Sequence, residues 1–329
     1  MSRPTLVTGA GGFLGGHVVA ALAGRGEAVR ALDLAFPAPL AQGVERIEGS
    51  ILDPDLMARA AQGTAAVIHC AALTDLWARR RVLYDRVNTR GTCEVLVAAR
   101  RAGARVVHVS SYVTLVGGPD AGAATLDETV ELPPSALLGP YPRTKREAEL
   151  FALSAARMGH DVVVVMPSAP VGPGDWRLTP PTRMIRDLAA GRTPALLDCL
   201  INLVDVRAVA EGVIAARDRG RSGARYLLTG EDLEMAGIAA RIGALAGVRP
   251  PRWRVPPGVA LAAARVEAAL ASVTGRPPKA PLTGVRLAAR RVRFSSAKAR
   301  AELGFDPPPV EAALADAVDW LRAAGMLAR

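Results

Sequence analysis

The sequence predicts an α/β fold, a doubly wound parallel sheet followed by a smaller, mostly helical C-terminal region. Three observations predict it. Short runs rich in β-branched residues alternate with helical stretches through the first half of the chain. Most of those runs are continuously apolar or nearly so, as in strands covered on both faces, and do not alternate apolar with polar. After Met166 the alternation stops and a turn-rich segment, Pro167-Ser168-Ala169-Pro170-Val171-Gly172-Pro173-Gly174-Asp175, leads into mainly helical sequence.

In order, the reading is strand 5–7, helix 12–25, strand 28–32, strand 44–48, strand 65–69, helix 82–101, strand 105–109, helix 141–158 and the nearly all-valine strand 161–166. Beyond the turn-rich segment come helix 181–190, strand 201–204, helix 206–217, strand 225–229 and three further helices, the last at 310–324. The division expected is residues 1–166 with about 201–220 for the sheet domain, and 167–200 with 221–329 for an annex packed on it.

Composition narrows the class. The 329 residues are half apolar and 22% charged, which suits a globular protein and excludes a disordered or collagen-like chain. The net charge of +10 raises nucleic acid as a partner, but the densest basic runs, Arg79-Arg80-Arg81 and Arg290-Arg291-Val292-Arg293, are short and not interleaved with aromatics. No nucleic-acid partner is expected. Segment 257–273 is long enough to lie on a membrane surface, yet few basic residues mark its polar face, so a core or lid helix is the preferred reading. Three scattered cysteines, Cys70, Cys93 and Cys199, imply no disulfide framework, and the histidines show no zinc-ligand spacing. No metal is expected. With no secretory pattern at Met1-Ser2-Arg3-Pro4, a reducing, cytoplasmic location is expected.

Between the first strand and first helix stands Thr8-Gly9-Ala10-Gly11-Gly12-Phe13-Leu14-Gly15. A glycine loop in that place marks a Rossmann-type dinucleotide site. Gly9 allows the tight turn, Gly12 lets backbone approach the pyrophosphate, Gly15 lets helix and strand pack, and Phe13 and Leu14 open the helix whose N-terminus receives the phosphates. Asp33 ends the second strand, where a carboxylate bonds the adenosine ribose hydroxyls and repels a 2′-phosphate; no arginine follows it directly, so NAD is expected over NADP. Ser50 and Ile51 follow the third strand, beside the adenine, and Ala71 and Ala72 follow the fourth, small enough for close approach of the cofactor.

Tyr141 and Lys145 form Tyr-x-x-x-Lys, and residues four apart share a helix face. An ammonium beside the phenol would favour the phenolate and suit the tyrosine to proton exchange with an alcohol or ketone. Only Lys145, Lys279 and Lys298 are lysine among 41 basic residues, and there are four tyrosines, so chance supplies roughly 0.04 such pairs. Arginine, bulkier and planar, would serve poorly there. Ser111, at the end of the fifth strand, is the candidate to hold the substrate oxygen, with Ser110 the alternative.

Together these residues resemble the extended short-chain dehydrogenase/reductase family, the NAD-dependent epimerase/dehydratases. Pro140-Tyr141-Pro142-Arg143-Thr144-Lys145 is similar to the 3β-hydroxysteroid dehydrogenase and dihydroflavonol reductase branch. Val171-Gly172-Pro173-Gly174-Asp175, the run 201–206 and Phe294-Ser295-Ser296 are similar to hopanoid-associated sugar epimerase-type proteins of that branch. The resemblance covers nearly the whole chain. It implies a Ser111–Tyr141–Lys145 set, Asn88 supporting the lysine through water, Pro167 beside the cofactor, and a homodimer built on helices near 82–101 and 141–158. Ser50 departs from the family pattern, which often has Asp beside the adenine.

The function expected is hydride transfer between NAD and a secondary alcohol or ketone, with a hydrophobic substrate of steroid, flavonoid, lipid or polyketide type, because the loop and annex are apolar and carry Trp176 and Trp253. Two other readings stand beside it. A sugar-nucleotide epimerase or dehydratase that recycles its NAD would need cations for a diphosphate, for which Arg183, Arg186 and Arg192 are candidates. A non-catalytic NAD-sensing protein would more commonly have lost the tyrosine or the lysine.

Overall fold

A computed structural model describes residues 3–118 and 125–327. Five strands open the chain: β1 (Thr5–Thr8), β2 (Val29–Asp33), β3 (Glu45–Glu48), β4 (Ala66–His69) and β5 (Arg105–Val109). With Val162–Pro167 and Arg225–Leu228 they make a seven-stranded sheet, all of whose pairings are parallel. From one edge the order is Arg225–Leu228, Val162–Pro167, β5, β4, β1, β2, β3. The order reverses beside β1, and ligands of such sheets bind in the crevice at that point, outside the carboxyl ends of the strands.

The valine run shows why the sheet is covered on both sides. Val162 and Val164 pack into a core with Met57, Val95, Val106 and Ala152, while Val163 and Val165 pack with Val18, Leu22, Val107, Val209 and Val213. Successive side chains point to opposite faces, so a strand apolar at every position needs a core on each.

Two differences from the expected layout have physical causes, one local and one long-range. The helix Pro54–Ala61 was not foreseen; Asp53 caps it, its Oδ1 accepting from Asp55 N (3.1 Å) and Leu56 N (3.0 Å), with Pro54 at the first turn. The strand Arg225–Leu228, assigned to the annex, is the edge strand of the main sheet. A second, three-stranded sheet of Ala169–Val171, Leu200–Asp205 and Glu231–Glu234 stands beside it, so Leu200–Asp205, expected with the main sheet, pairs outside it, around a separate apolar cluster that holds Ile185, Leu203, Ile238, Leu314 and Leu321.

Candidate active site

A cavity of about 490 Å³ runs along the carboxyl ends of the strands, between sheet and annex. At one end the glycine loop shapes it. Gly9 has φ +72°, and a Cβ there would stand 2.5 Å from Ala71 N; a Cβ on Gly15 would stand 2.0 Å from Gly9 O. Both positions therefore exclude any side chain. The helix Phe13–Gly24 begins here with no side chain capping its first N–H groups and no acid in its first turn, while Gly12, Phe13 and Leu14 face the cavity. Uncapped amides and the positive helix end suit a pyrophosphate.

Asp33 closes that end. Its Oδ2 accepts from Gly11 N (3.0 Å), and its Oδ1 accepts from Leu34 N (2.7 Å) and from the Arg177 guanidinium (2.9 Å). Arg177 was not foreseen: it comes from the turn-rich loop, 144 residues away, and meets Asp33 only in the fold. Ser50, Ile51, Ala71, Ala72 and Pro167 also line the cavity. The Ser50 hydroxyl accepts from Leu52 N (3.1 Å).

Asn88 does not line the cavity. It lies in a turn of π-helix, Asp85–Arg90, and is buried behind the wall. Its Oδ1 accepts from Leu73 N (2.7 Å), and its Nδ2 donates to Leu73 O (3.1 Å) and Thr144 Oγ1 (3.1 Å). Among the described residues Asn88 makes no direct hydrogen bond to Lys145; its direct contacts brace the segment after β4 against the tyrosine-bearing helix, Pro140–Arg157. The wider π turn turns this side chain inward.

Tyr141, Lys145 and Ser111 converge on the cavity. Tyr141 packs with Tyr84 and Val113 in a small apolar cluster, and this burial raises its phenol; a hydrogen bond with Ser111 works in the opposite direction. Lys145 is buried and donates to Val109 O (2.7 Å); burial pulls its ammonium down to about 8, with Cys70 and Glu149 opposing. The expected lowering of Tyr141 by Lys145 is not what this arrangement gives, because the ammonium is turned to the end of β5. His69 and His108 lie behind the lysine, their rings 5.5 Å apart, and burial keeps both neutral, His69 down at about 3.

The two serines divide cleanly. Ser110 Oγ donates to Glu149 Oε2 (2.6 Å), as does Thr114 Oγ1 (3.0 Å). The other Glu149 oxygen pairs with Arg146 (2.5 Å) and Arg225 (2.9 Å), all three charged groups being buried. Ser110 is therefore committed to a structural cluster, whereas Ser111, which caps the turn Tyr112–Leu115, keeps its hydroxyl beside Tyr141. Sequence spacing gave no sign of Glu149. Ser168 was also missed; its buried hydroxyl lines the cavity and bonds no described residue.

The far end is walled by Leu76, Met184, Leu200, Leu287, Val292 and Phe294. Asn202 lies there too, its amide spent on Gly230 and Asp232. Trp176 packs edge-on against Trp320 (5.2 Å) and Trp253 is exposed, and neither lines the cavity.

A family model described as the NAD-dependent epimerase/dehydratase family matches residues 5–228.

The chain belongs to that family.

Its fold, its NAD chemistry and its place among the extended short-chain dehydrogenase/reductases follow. It is 38% identical over 334 residues to "Sterol demethylase protein B" of Methylococcus capsulatus, covering 98% of this chain and 99% of the relative. It is 32% identical over 314 residues to a 4-hydroxy-2-methyl-3-oxo-4-farnesyl-3,4-dihydroquinoline-1-oxide ketoreductase of Stigmatella aurantiaca, covering 92% and 91%. Among solved structures it is similar to MoeE5 in complex with UDP-glucose and NAD, at 25% identity and a TM-score of 0.76, covering 98% and 99%.

The Asp33–Arg177 pair makes a prediction about cofactor choice. Asp33→Asn keeps an oxygen for Gly11 N but removes the charge and releases Arg177, which then suits a 2′-phosphate. The ratio of kcat/KM for NADP over NAD should rise by about tenfold or more, roughly 1.4 kcal/mol. An unchanged ratio would show that the pair does not read the ribose.

Proposed function

We propose that this oxidoreductase reduces a ketone on a hydrophobic substrate, reversibly, with NADH as hydride donor and Tyr141 as proton donor. The observation that carries the reading is the lining of the substrate end. Among the described residues, Lys145 and Arg177 are the only cations on the cavity wall, and Arg177 is at the adenosine end on Asp33. The arginines that a diphosphate would need are already paired with acids: Arg183 with Asp75 at the cavity's edge, and Arg186 and Arg192 with Asp187. The ketoreductase relative, named for a farnesylated substrate, points the same way. MoeE5, with its bound UDP-sugar, supports the epimerase alternative, which the missing cations disfavour.

Bound NADH supplies the hydride, and NAD⁺ accepts it in reverse. Glycine-loop amides would hold the pyrophosphate, and Asp33 the ribose. Ser111 and Tyr141 hold the carbonyl oxygen; Tyr141 passes its phenolic proton to that oxygen, and the carbonyl becomes a secondary alcohol. Burial keeps the phenol protonated, as a proton donor requires. Once substrate is bound, Lys145 turns from Val109 O toward the phenol, where its positive charge offsets the resulting phenolate. Ser111 is chosen over Ser110 because Glu149 occupies the latter.

A cytoplasmic homodimer fits this reading. The cysteines are free, and Val97 and Phe151 are exposed on the two helices that the family resemblance assigns to the dimer.

The test is NADH consumption with a panel of apolar ketones. Lys145 is cationic below about pH 8 and neutral above it, so reduction should hold its rate below pH 8 and decline above it. No consumption with any ketone, or a rate constant to pH 10, would contradict the proposal.

A further inference from the structure

The net charge is not spread over the molecule. Between residues 249 and 293 stand ten basic residues and one acid, Glu267, a sequence excess of nine, of which Arg291 is paired with Asp198 and Glu234 from outside the segment. Arg79, Arg80 and Arg81 add three more, so the remainder is slightly negative. Elsewhere most arginines are ion-paired, as Arg105 is with Asp161, Arg217 with Glu27 and Arg221 with Glu302. Here, Arg79–Arg81, Arg252, Arg254, Arg265, Arg276 and Lys279 are exposed, and none forms an ion pair with a described residue.

An apolar stripe lies among these cations. On the helix Pro257–Thr274, Val259, Val266, Leu270 and Val273 are spaced to share one face, and each is at least 59% exposed. Ala264 and Ala271 are the buried residues of this helix. Trp253, between Arg252 and Arg254, is 77% exposed. The segments meet in space: a Cβ at Gly275, just past the helix, would stand 3.1 Å from Arg79 Nε. The helix packs on Leu282–Ala288, whose Gly284, Leu287 and Ala288 line the substrate end of the cavity. The helix is therefore neither a core element nor a lid with a polar outer face. Its neighbours supply the positive charge that its own sequence lacks.

We propose that this face, the Pro257–Thr274 stripe with Trp253 and the surrounding arginines, docks the protein on an anionic lipid bilayer. Aliphatic side chains and a tryptophan enter the interface, and arginines meet the headgroups. A second copy of the chain is a poor occupant, because a twofold contact would set these unpaired cations against themselves. A nucleic acid would leave the stripe unused. No helix of the described residues is long and apolar enough to cross a membrane, so the contact is peripheral. Docking stands independently of the reductase reading.

The test is co-sedimentation of the full chain with vesicles of phosphatidylcholine alone and of phosphatidylcholine mixed with phosphatidylglycerol. The chain should pellet with the mixed vesicles and stay in the supernatant with the neutral ones. V266E/L270E, and separately R79E/R80E/R81E, should each weaken binding by about tenfold or more. R300E, an exposed reversal outside the face, should not. Equal binding to both vesicles, or binding indifferent to both sets of substitutions, would overturn the proposal. So would a change of oligomeric state in V266E/L270E without lipid, or preferential binding of a DNA duplex at the same salt.

Discussion

Tyr141→Phe is expected to lower kcat for ketone reduction by about 10²–10⁴ while leaving NADH binding within about twofold. In the proposed reaction the phenol is the proton donor to the substrate oxygen, and the ring's packing against Tyr84 and Val113 survives the change. Phenylalanine keeps that apolar contact and loses only the proton. Ser111 remains to hold the carbonyl, which leaves substrate KM less affected than kcat. NADH fluorescence titration and steady-state rates separate the two. A kcat within fivefold of the parent would remove Tyr141 from the role of acid.

The largest effect on stability is expected from Glu149→Gln. Its carboxylate is wholly buried and faces two guanidinium groups, Arg146 and Arg225, that are almost as buried. Removing one charge leaves the others without compensation in a medium that solvates them poorly. Breaking such a cluster costs about 3–5 kcal/mol, far more than an exposed pair. The Arg25–Glu211 pair on the surface is the natural comparison, and Glu211→Gln should cost about 1 kcal/mol or less. Denaturant unfolding of the two variants measures the difference. Glu149 also fixes Ser110 and Thr114, so loss of the cluster should disturb the turn that presents Ser111 and reduce kcat as well. Equal stability of the two variants would show that the buried cluster is not what anchors the end of β5.

The features legible in the sequence are those whose chemistry is local in the chain. The glycine loop works through backbone within eight residues, and Tyr141 and Lys145 through one helical turn. Each strand of the first half except the charged edge strand β3 carries its own apolar run. The features that stayed hidden depend on contacts between distant segments. Asp33 looked free of arginine because only its immediate neighbours were considered, yet Arg177 reaches it from the far loop. Ser110 and Ser111 were equivalent until Glu149 claimed one of them. Asn88 pointed to the lysine by family resemblance, but the π turn aims it at Leu73 and Thr144. The strand Arg225–Leu228 read as annex because it follows the annex's first segment, and only pairing with Val162–Pro167 shows where it belongs. The charge was uninformative in another way: as a total it implied little, and only the ion pairs of the fold show which arginines of 79–81 and 249–293 are left exposed without a paired acid.

Net hydride transfer separates the proposed reductase from the epimerase alternative, in which the nicotinamide ends each cycle as it began. The direct measurement is turnover of an apolar ketone with NADH carrying deuterium at both positions of the nicotinamide C4. The predicted result is one deuterium on the new carbinol carbon for each NADH oxidised, lost in Tyr141→Phe. Turnover of a sugar nucleotide with no net NADH oxidation, and no deuterium in any ketone-derived alcohol, would contradict it.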